Sequence, residues 1–443
     1  MFMLDLKQLL FFLPLLILAA SLIPKKWKSA VLTAGGLAMC AMSGWELLLY
    51  AVLSVFFGWF AVRCCPRTLT GPYAAKARAW ITISILLQTG CLVLSGCHLL
   101  ILLSAIQAVI CVIDRAHGML RIPSLPQYLC YVCEYPRWFG LNPTDFETYL
   151  SAQESRRPFE IERFANGLGK IITGVFQIVI LSRPISLFYQ MIVEPQFPQQ
   201  LSFSDGWLCA VAYYCFLYFL LHGWLDIGQG ILLVLGYDQP DGYESPTFST
   251  SLAEYLEKIW KPMRTAAGDI VGIPVPSAKM PAAKWFFAAL VCMLAAGLIF
   301  SDSLLCGLSW GCAAASVLLL ERSIPQSFRM KIPKAVRTVC VNFIIILFTY
   351  ALFGCNANGH ASGILSLIGK GGFALSSAAL YALSWYWVEL LLCIVSLFPL
   401  RRLFAAMARK YAILEKAGTV IVPVMQLSML VLCIMYLVAS GVY

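Results

Sequence analysis

Apolar runs separated by short, charge-bearing stretches repeat along the whole of this chain. They are Leu9–Ile23, Ala30–Met42, Trp45–Val62, Trp80–Ser95, His98–Ile113, Ile171–Ile185, Gly206–Leu221, Lys284–Phe300, Ser303–Leu320, Thr338–Phe353, Ala374–Phe398 and Val420–Val438. About 20 apolar residues in a helix cover a hydrocarbon core, and only a helix or a closed barrel satisfies its backbone there. The pattern predicts an all-α, polytopic membrane protein of about 12 transmembrane helices. Leu9–Ile23 is preceded by Asp5 and a single Lys7 and ends in no small-residue cleavage motif, so it reads as a retained helix.

One segment breaks the alternation. If His222–Leu235 crossed separately, every later basic loop would change sides. A re-entrant or interfacial element is therefore expected over about 222–270, since non-spanning backbone at membrane depth requires protein or water around it.

Composition supports the bilayer as solvent. Of 443 residues, 60% are hydrophobic and 12% charged, against about 25% charged in a soluble domain, and the mean hydropathy is +0.80. One integral membrane domain over 1–443 is expected. The net charge of +10 is gathered in loops at Lys25–Lys28, Arg63–Arg78, Arg115–Lys170, Lys258–Lys284, Arg322–Arg337 and Arg401–Lys416. Alternating spans put all six on one side, which basic residues mark as cytoplasmic. Glu194–Gln200 holds no Lys or Arg and Gly354–Gly372 only Lys370. Both termini then face outside, and no nucleic acid is expected as partner. Most of the 17 cysteines lie inside apolar runs as small hydrophobes. The lone Cys130-x-x-Cys133 has no second pair or nearby histidine, so no metal site is expected.

Ionisable groups inside apolar segments are functional candidates. His222, Asp226 and Gln229 form one group, His222 and Asp226 being four residues apart and sharing a helix face. The alternative is a structural polar pair. A second group, Asn356, Asn358 and His360, lies among glycines in Gly354–Gly363, either as a site with His360 as general base or as a solvated outer loop. Glu389 is a lone carboxylate, open to pairing with a neighbouring helix or to catalysis. Gly307-Leu308-Ser309-Trp310-Gly311 has nucleophile-elbow spacing but lies in an expected span, where small residues pack helices.

Gly223-x-x-Asp226-Ile227-x-x-Gly230, Leu235-Gly236-Tyr237, Tyr243-Glu244-Ser245-Pro246-Thr247-Phe248-Ser249, Leu252-Ala253-Glu254-Tyr255 and Trp260-Lys261 together resemble the membrane-bound O-acyltransferase family. In its polysaccharide-acetylating and D-alanylating branch the corresponding text reads G-Y-S-D-M-A-I-G, L-G-F, N-F-x-x-P-Y and S-x-x-E-F-W-x-R-W-H. Cys111–Arg115 looks like the family's V-D-x-Y-R. The stretch Phe164–Ile185 with Gly167, Gly169 and Lys170 is similar to the segment before the core motif, and Arg337 and Asn342 resemble the residues that open its next helix. The resemblance covers about 100–365.

Two positions depart from the family. Its histidine in G-L-W-H-G aligns with Gly354 of Ala351-Leu352-Phe353-Gly354-Cys355, and the histidine of R-W-H aligns with Lys261. Acyl transfer from a thioester needs a base for the acceptor hydroxyl or a nucleophile to take the acyl group. Glycine supplies neither, which leaves His360, His222 and Asp226 as candidate catalytic residues, Asn356, Asn358 and Gln229 as polar support, and Trp260, Lys261 and Arg264 as donor contacts.

The resemblance implies helices around a tunnel and transfer of an acyl group, acetyl above all, from acyl-CoA or an acyl-carrier thioester to a hydroxyl of an envelope or exopolysaccharide. No bound cofactor is expected. Membrane lipid, an acyl carrier or another envelope-modification protein, and the polysaccharide are the expected partners. Two alternatives stand beside this reading: a catalytically degenerate relative that binds an acyl group or scaffolds such a complex, and a small-molecule transporter.

Overall fold

The computed structural model describes residues 12–68, 73–95, 99–119, 121–134, 146–157, 160–193, 202–237, 249–255, 304–324, 331–358, 372–397 and 412–439, with 258, 290 and 293. Their elements are α1 (Leu13–Leu22), α2 (Lys25–Ser43), α3 (Trp45–Cys64), α4 (Ala74–Leu94), α5 (Leu99–Ala116), α6 (Leu125–Cys133), α7 (Phe146–Glu154), α8 (Ile161–Phe176), a π-helix (Gln177–Ser182), α9 (Arg183–Val193), α10 (Phe203–Val234), α11 (Leu304–Ser323), α12 (Lys334–Asn358), α13 (Ser377–Leu397) and α14 (Ala412–Ala439). No strand occurs among them.

Six described helices are long and apolar enough to cross a membrane: Trp45–Cys64, Ala74–Leu94, Ile161–Val193, Phe203–Val234, Ser377–Leu397 and Val420–Ala439. The chain is an integral membrane protein. Of the other expected crossings, Lys284–Phe300 lies almost wholly outside the described residues, and α1, α2, α5, α11 and α12 are helices that do not meet the same measure.

The element expected to begin at His222 is instead the continuation of α10, which runs unbroken through 32 residues, about 48 Å at 1.5 Å per residue. Its end is built by Gly236, at φ 86°. The Gly236 amide donates to Leu233 O at 3.1 Å and the Tyr237 amide to Leu232 O at 3.0 Å, the paired bonds of a Schellman termination.

The chain divides into two compact units. The first comprises 1–168, 228–242 and 260–279. Within it, α3, α4 and α5 pack mutually and α6 lies against α2, α3 and α5. Between lipid-embedded helices there is little hydrophobic drive, so small residues and polar pairs decide the contacts. Accordingly α3 buries Ala51, Ser54, Val55, Gly58, Ala61 and Val62, and a Cβ on Gly58 would strike Tyr128 and approach Ala108 Cβ to 2.9 Å. Ser54 Oγ donates to Gln88 Oε1 at 2.6 Å, and Gln88 Nε2 returns a bond to Ser54 O at 2.8 Å.

A buried polar knot closes the same unit. Glu134 and Arg156 pair at 3.5 Å with side chains 0% and 2% exposed. Tyr237 Oη donates to Glu134 Oε1 at 2.6 Å and accepts from Arg156, whose guanidinium stacks 4.2 Å over the tyrosine ring. Gln153 Nε2 reaches both carboxylate oxygens and Tyr237 Oη. The knot thus anchors the residue that follows the turn at Gly236.

The second unit comprises 169–227, 243–259 and 280–443. Its core gathers Leu181, Phe188, Tyr189, Tyr213, Tyr214, Phe219 and their neighbours. Asp205, wholly buried, completes a capping box at the start of α10: its Oδ2 accepts from Ser202 N at 3.1 Å, and Ser202 Oγ accepts from Asp205 N. Its Oδ1 accepts from Ser376 N at 3.1 Å, and Ser204 Oγ donates to Phe373 O at 2.6 Å. The first turn of α10 is thereby tied to the approach to α13.

Candidate active site

The polar residues of α10 lie in its C-terminal half, where glycine lets a neighbouring helix approach closely. In the second unit a Cβ on Gly174 would lie 2.5 Å from Gly223 O and 2.9 Å from Ile227 N, and one on Gly223 would lie 2.6 Å from Ile178 Cγ1. In the first unit Gly167 repeats the arrangement against Gly230 O and Val234 at 2.8 Å. Immediately after Gly174 the helix widens into the π-turn at Gln177, a distortion found in membrane and soluble helices at functional sites.

Gln177 projects to Asp226: its Nε2 donates to Asp226 Oδ2 at 3.1 Å. Gln177 Oε1 is buried without a hydrogen-bond partner among the described residues. His222, one turn before Asp226, stacks on Tyr218 with ring centroids 4.1 Å apart. Its Nδ1 lies 3.0 Å from Tyr218 O. A carbonyl oxygen only accepts, so Nδ1 carries the proton and, in the neutral ring, Nε2 holds the lone pair. In that tautomer Nε2 is the nitrogen able to accept a proton. Gln229 is buried on the same helix.

The structure therefore carries His222 and Asp226 on one helix and joins Asp226 to Gln177, which sequence reasoning did not single out. The other predicted residues are placed less fully. Asn356 and Asn358 end α12, with their side chains outside the described set, as are His360, Trp260, Lys261 and Arg264. Gly354 and Asn342 share α12, about 18 Å apart along its axis, and Asn342 Nδ2 donates to Thr338 O at 2.9 Å.

Two further sequence candidates resolve. Gly307–Gly311 is plain helix within α11 rather than a strand-to-helix elbow. Glu389, on α13, has a buried Oε2 with no hydrogen-bond partner among the described residues.

No family model matches the chain. Against curated proteins, 230 residues align at 20% identity with the probable alginate O-acetylase AlgI of Pseudomonas aeruginosa, covering 52% of this chain and 43% of that protein. The chain is similar to alginate O-acetylases. The probable alginate O-acetylase AlgI of Pseudomonas fluorescens aligns over 214 residues at 22% identity, covering 48% and 42%. That of Pseudomonas putida aligns over 210 residues at 23%, covering 46% and 42%. The chain spans about two-fifths of the length of these curated relatives, and its similarity to them is distant.

Proposed function

We propose that the chain transfers an acyl group, acetyl in the first instance, from a thioester donor to a hydroxyl of an extracellular or envelope polysaccharide. The similarity to alginate O-acetylases carries this reading, and the tautomer of His222 supports it. His222 Nε2 accepts the hydroxyl proton as the oxygen attacks the thioester carbonyl. The carbon–sulfur bond then breaks, and the departing thiolate takes the proton back from the imidazolium. Asp226, held by Gln177, supplies the negative charge that favours the transient imidazolium.

In this reading the basic loops face the cytoplasm of a bacterial inner membrane and meet an acyl-CoA or acyl-carrier donor through Trp260, Lys261 and Arg264. The acceptor approaches from outside, with both termini on that side, and His360, Asn356 and Asn358 stand as a second candidate base and its polar support.

The test is transfer of labelled acetyl from acetyl-coenzyme A to alginate oligosaccharides by the full chain in proteoliposomes. Positioned general bases contribute about 10²–10⁴-fold, so His222→Gln is expected to lose at least about a hundredfold while His360→Ala identifies or removes the second candidate. Full activity in His222→Gln would refute its role as base. A second reading, a relative that binds acyl donor without turnover, is favoured by Gly354 standing where the family carries histidine. Saturable donor binding with no product from any thioester would select it.

A further inference from the structure

One residue, a turn before the candidate base, governs the ring of His222. Tyr218 meets the imidazole twice: its carbonyl oxygen lies 3.0 Å from Nδ1, and its phenol ring stacks on the imidazole at 4.1 Å between centroids and 22° between planes. The carbonyl decides which nitrogen carries the proton, because the tautomer of a histidine is set by the hydrogen bond its other nitrogen makes. A single hydrogen bond still leaves the ring able to swivel. The stacked phenol removes that freedom, since a turn of the imidazole out of the shared plane would drive its edge into the tyrosine ring.

The helix dictates this arrangement. Residues four apart lie one above the other on a helix face, so Tyr214, Tyr218, His222 and Asp226 form a row along α10. Tyr218 is 8% exposed, and its own ring is wedged: Phe219 meets it edge-on at 5.2 Å and 86°, and Tyr214 lies 6.0 Å away in the row. Tyr255 backs the row from outside the helix, its hydroxyl donating to Tyr214 Oη at 3.5 Å. The support under His222 is therefore packed in place and cannot swing aside. Leucine at 218 would suit the helix at least as well and would keep the carbonyl, but it has no flat face.

We propose that Tyr218 is the positioning residue of His222: its carbonyl sets the tautomer that leaves the lone pair on Nε2, and its ring holds that lone pair in one direction. The catalytic use of this orientation rests on the reading of His222 as base in acyl transfer, whereas the orientation itself does not.

Two variants that both retain the carbonyl isolate the ring: Tyr218→Phe keeps a flat face and Tyr218→Leu does not. The full chain, carrying isotope-labelled histidine in phosphatidylcholine nanodiscs, is read by nitrogen NMR, the His222 signals being those absent from His222→Gln. Wild type and Tyr218→Phe are expected to show Nδ1 protonated and Nε2 bare, and Tyr218→Leu a mixture of tautomers. Acetyl transfer is the second readout. A misplacement of about 1 Å can cost about a hundredfold, so kcat should fall about ten- to a hundredfold in Tyr218→Leu with KM unchanged, and Tyr218→Phe should recover most of it. Because Tyr218 acts through His222, adding Tyr218→Leu to His222→Gln should cost nothing more. Nε2 protonated in the wild type would overturn the proposal whatever the variants do, as would a single retained tautomer in Tyr218→Leu or losses that multiply in the double variant. Absence of transfer by the wild type would remove the acyl-transfer reading, and with it the catalytic use of the orientation, and the NMR signals would then decide the orientation alone.

Discussion

Replacing Arg156 by Met removes the partner of a carboxylate that has no access to water. Glu134 is 0% and Arg156 2% exposed, and the remaining charge keeps the hydrogen bonds from Tyr237 Oη and Gln153 Nε2. Breaking a buried pair from one side costs about 3–5 kcal/mol. For a cooperative unit of about 200 residues, each kcal/mol shifts the midpoint by about 2–4 °C, so a fall of about 6–20 °C is expected. Substituting Glu134→Leu in the same chain removes the stranded charge as well. An apolar replacement for a buried ion pair is often neutral or better, and Gln153 still reaches the tyrosine hydroxyl at 3.3 Å. The double variant should therefore regain at least half of the loss. A thiol-reactive fluorophore reads the transition directly, because Cys40, Cys111 and Cys133 are free and buried in this unit. If the double variant is as unstable as the sum of the singles, the ion pair is not what Glu134 and Arg156 contribute to each other.

Further predictions follow from single contacts. Gly174→Val forces α8 and α10 apart at a backbone contact; overpacking of this kind costs about 1–3 kcal/mol, and acetyl transfer should fall with it, whereas Gly90→Ala, with open space around it, should leave both unchanged. Gln88→Leu strands Ser54 Oγ and should cost about 1–3 kcal/mol of stability, read as a lower midpoint with the same dye; an unchanged midpoint would remove the Ser54–Gln88 pair from the account of α3–α4 packing. For Asp226→Asn, loss of transfer without loss of thermal stability is the expected signature of a carboxylate that acts through its charge. Glu254, despite a burial effect that raises its pKa, is held below the ordinary carboxylate value by Lys258 at 2.7 Å and by Thr250. Its folded-state pKa being depressed, its contribution is complete above the unfolded value and lost as pH falls through the folded one. Screening limits it to under about 1 kcal/mol, so Glu254→Gln should differ from wild type slightly at pH 7 and not at all once the pH lies below the folded-state pKa of Glu254.

Hydropathy located helices well where charge stayed out of them and poorly where it did not. The run beginning at Trp80 is the visible part of a helix that starts at Ala74, its first turns hidden by Lys76 and Arg78. Likewise Gly206–Leu221 is the apolar half of α10, whose other half is masked by His222, Asp226, Gln229 and three glycines. Those residues end neither helix nor burial, because His222 bonds its own backbone, Asp226 is met by Gln177, and the glycines admit α8. Gln177 carried no signal of its own: a single amide in an apolar run acquires its role from a π-turn, which no residue type announces. The knot at Tyr237 was equally invisible, since it joins residues about a hundred positions apart. What the sequence did carry was Asp226 and its glycines as a set, through resemblance rather than periodicity.

The π-helix at Gln177–Ser182 also settles a matter of phase. Each residue of an α-helix advances the face by about 100°, so a wide turn decouples the angular position of everything after it from everything before. Upstream, Gly174 is aimed at α10; downstream, Pro184, Ile185, Phe188 and Ile192 are buried and α9 lies along α13. A uniform helix of the same sequence could align one of these faces and not the other. Deleting a single residue such as Ile180 would restore ordinary helix, rotate the downstream half by about one residue's angle and turn its buried edge into lipid. The segment from Ile161 to Val193 is in this sense two helices spliced end to end, with the joint placed beside the residue that holds Asp226.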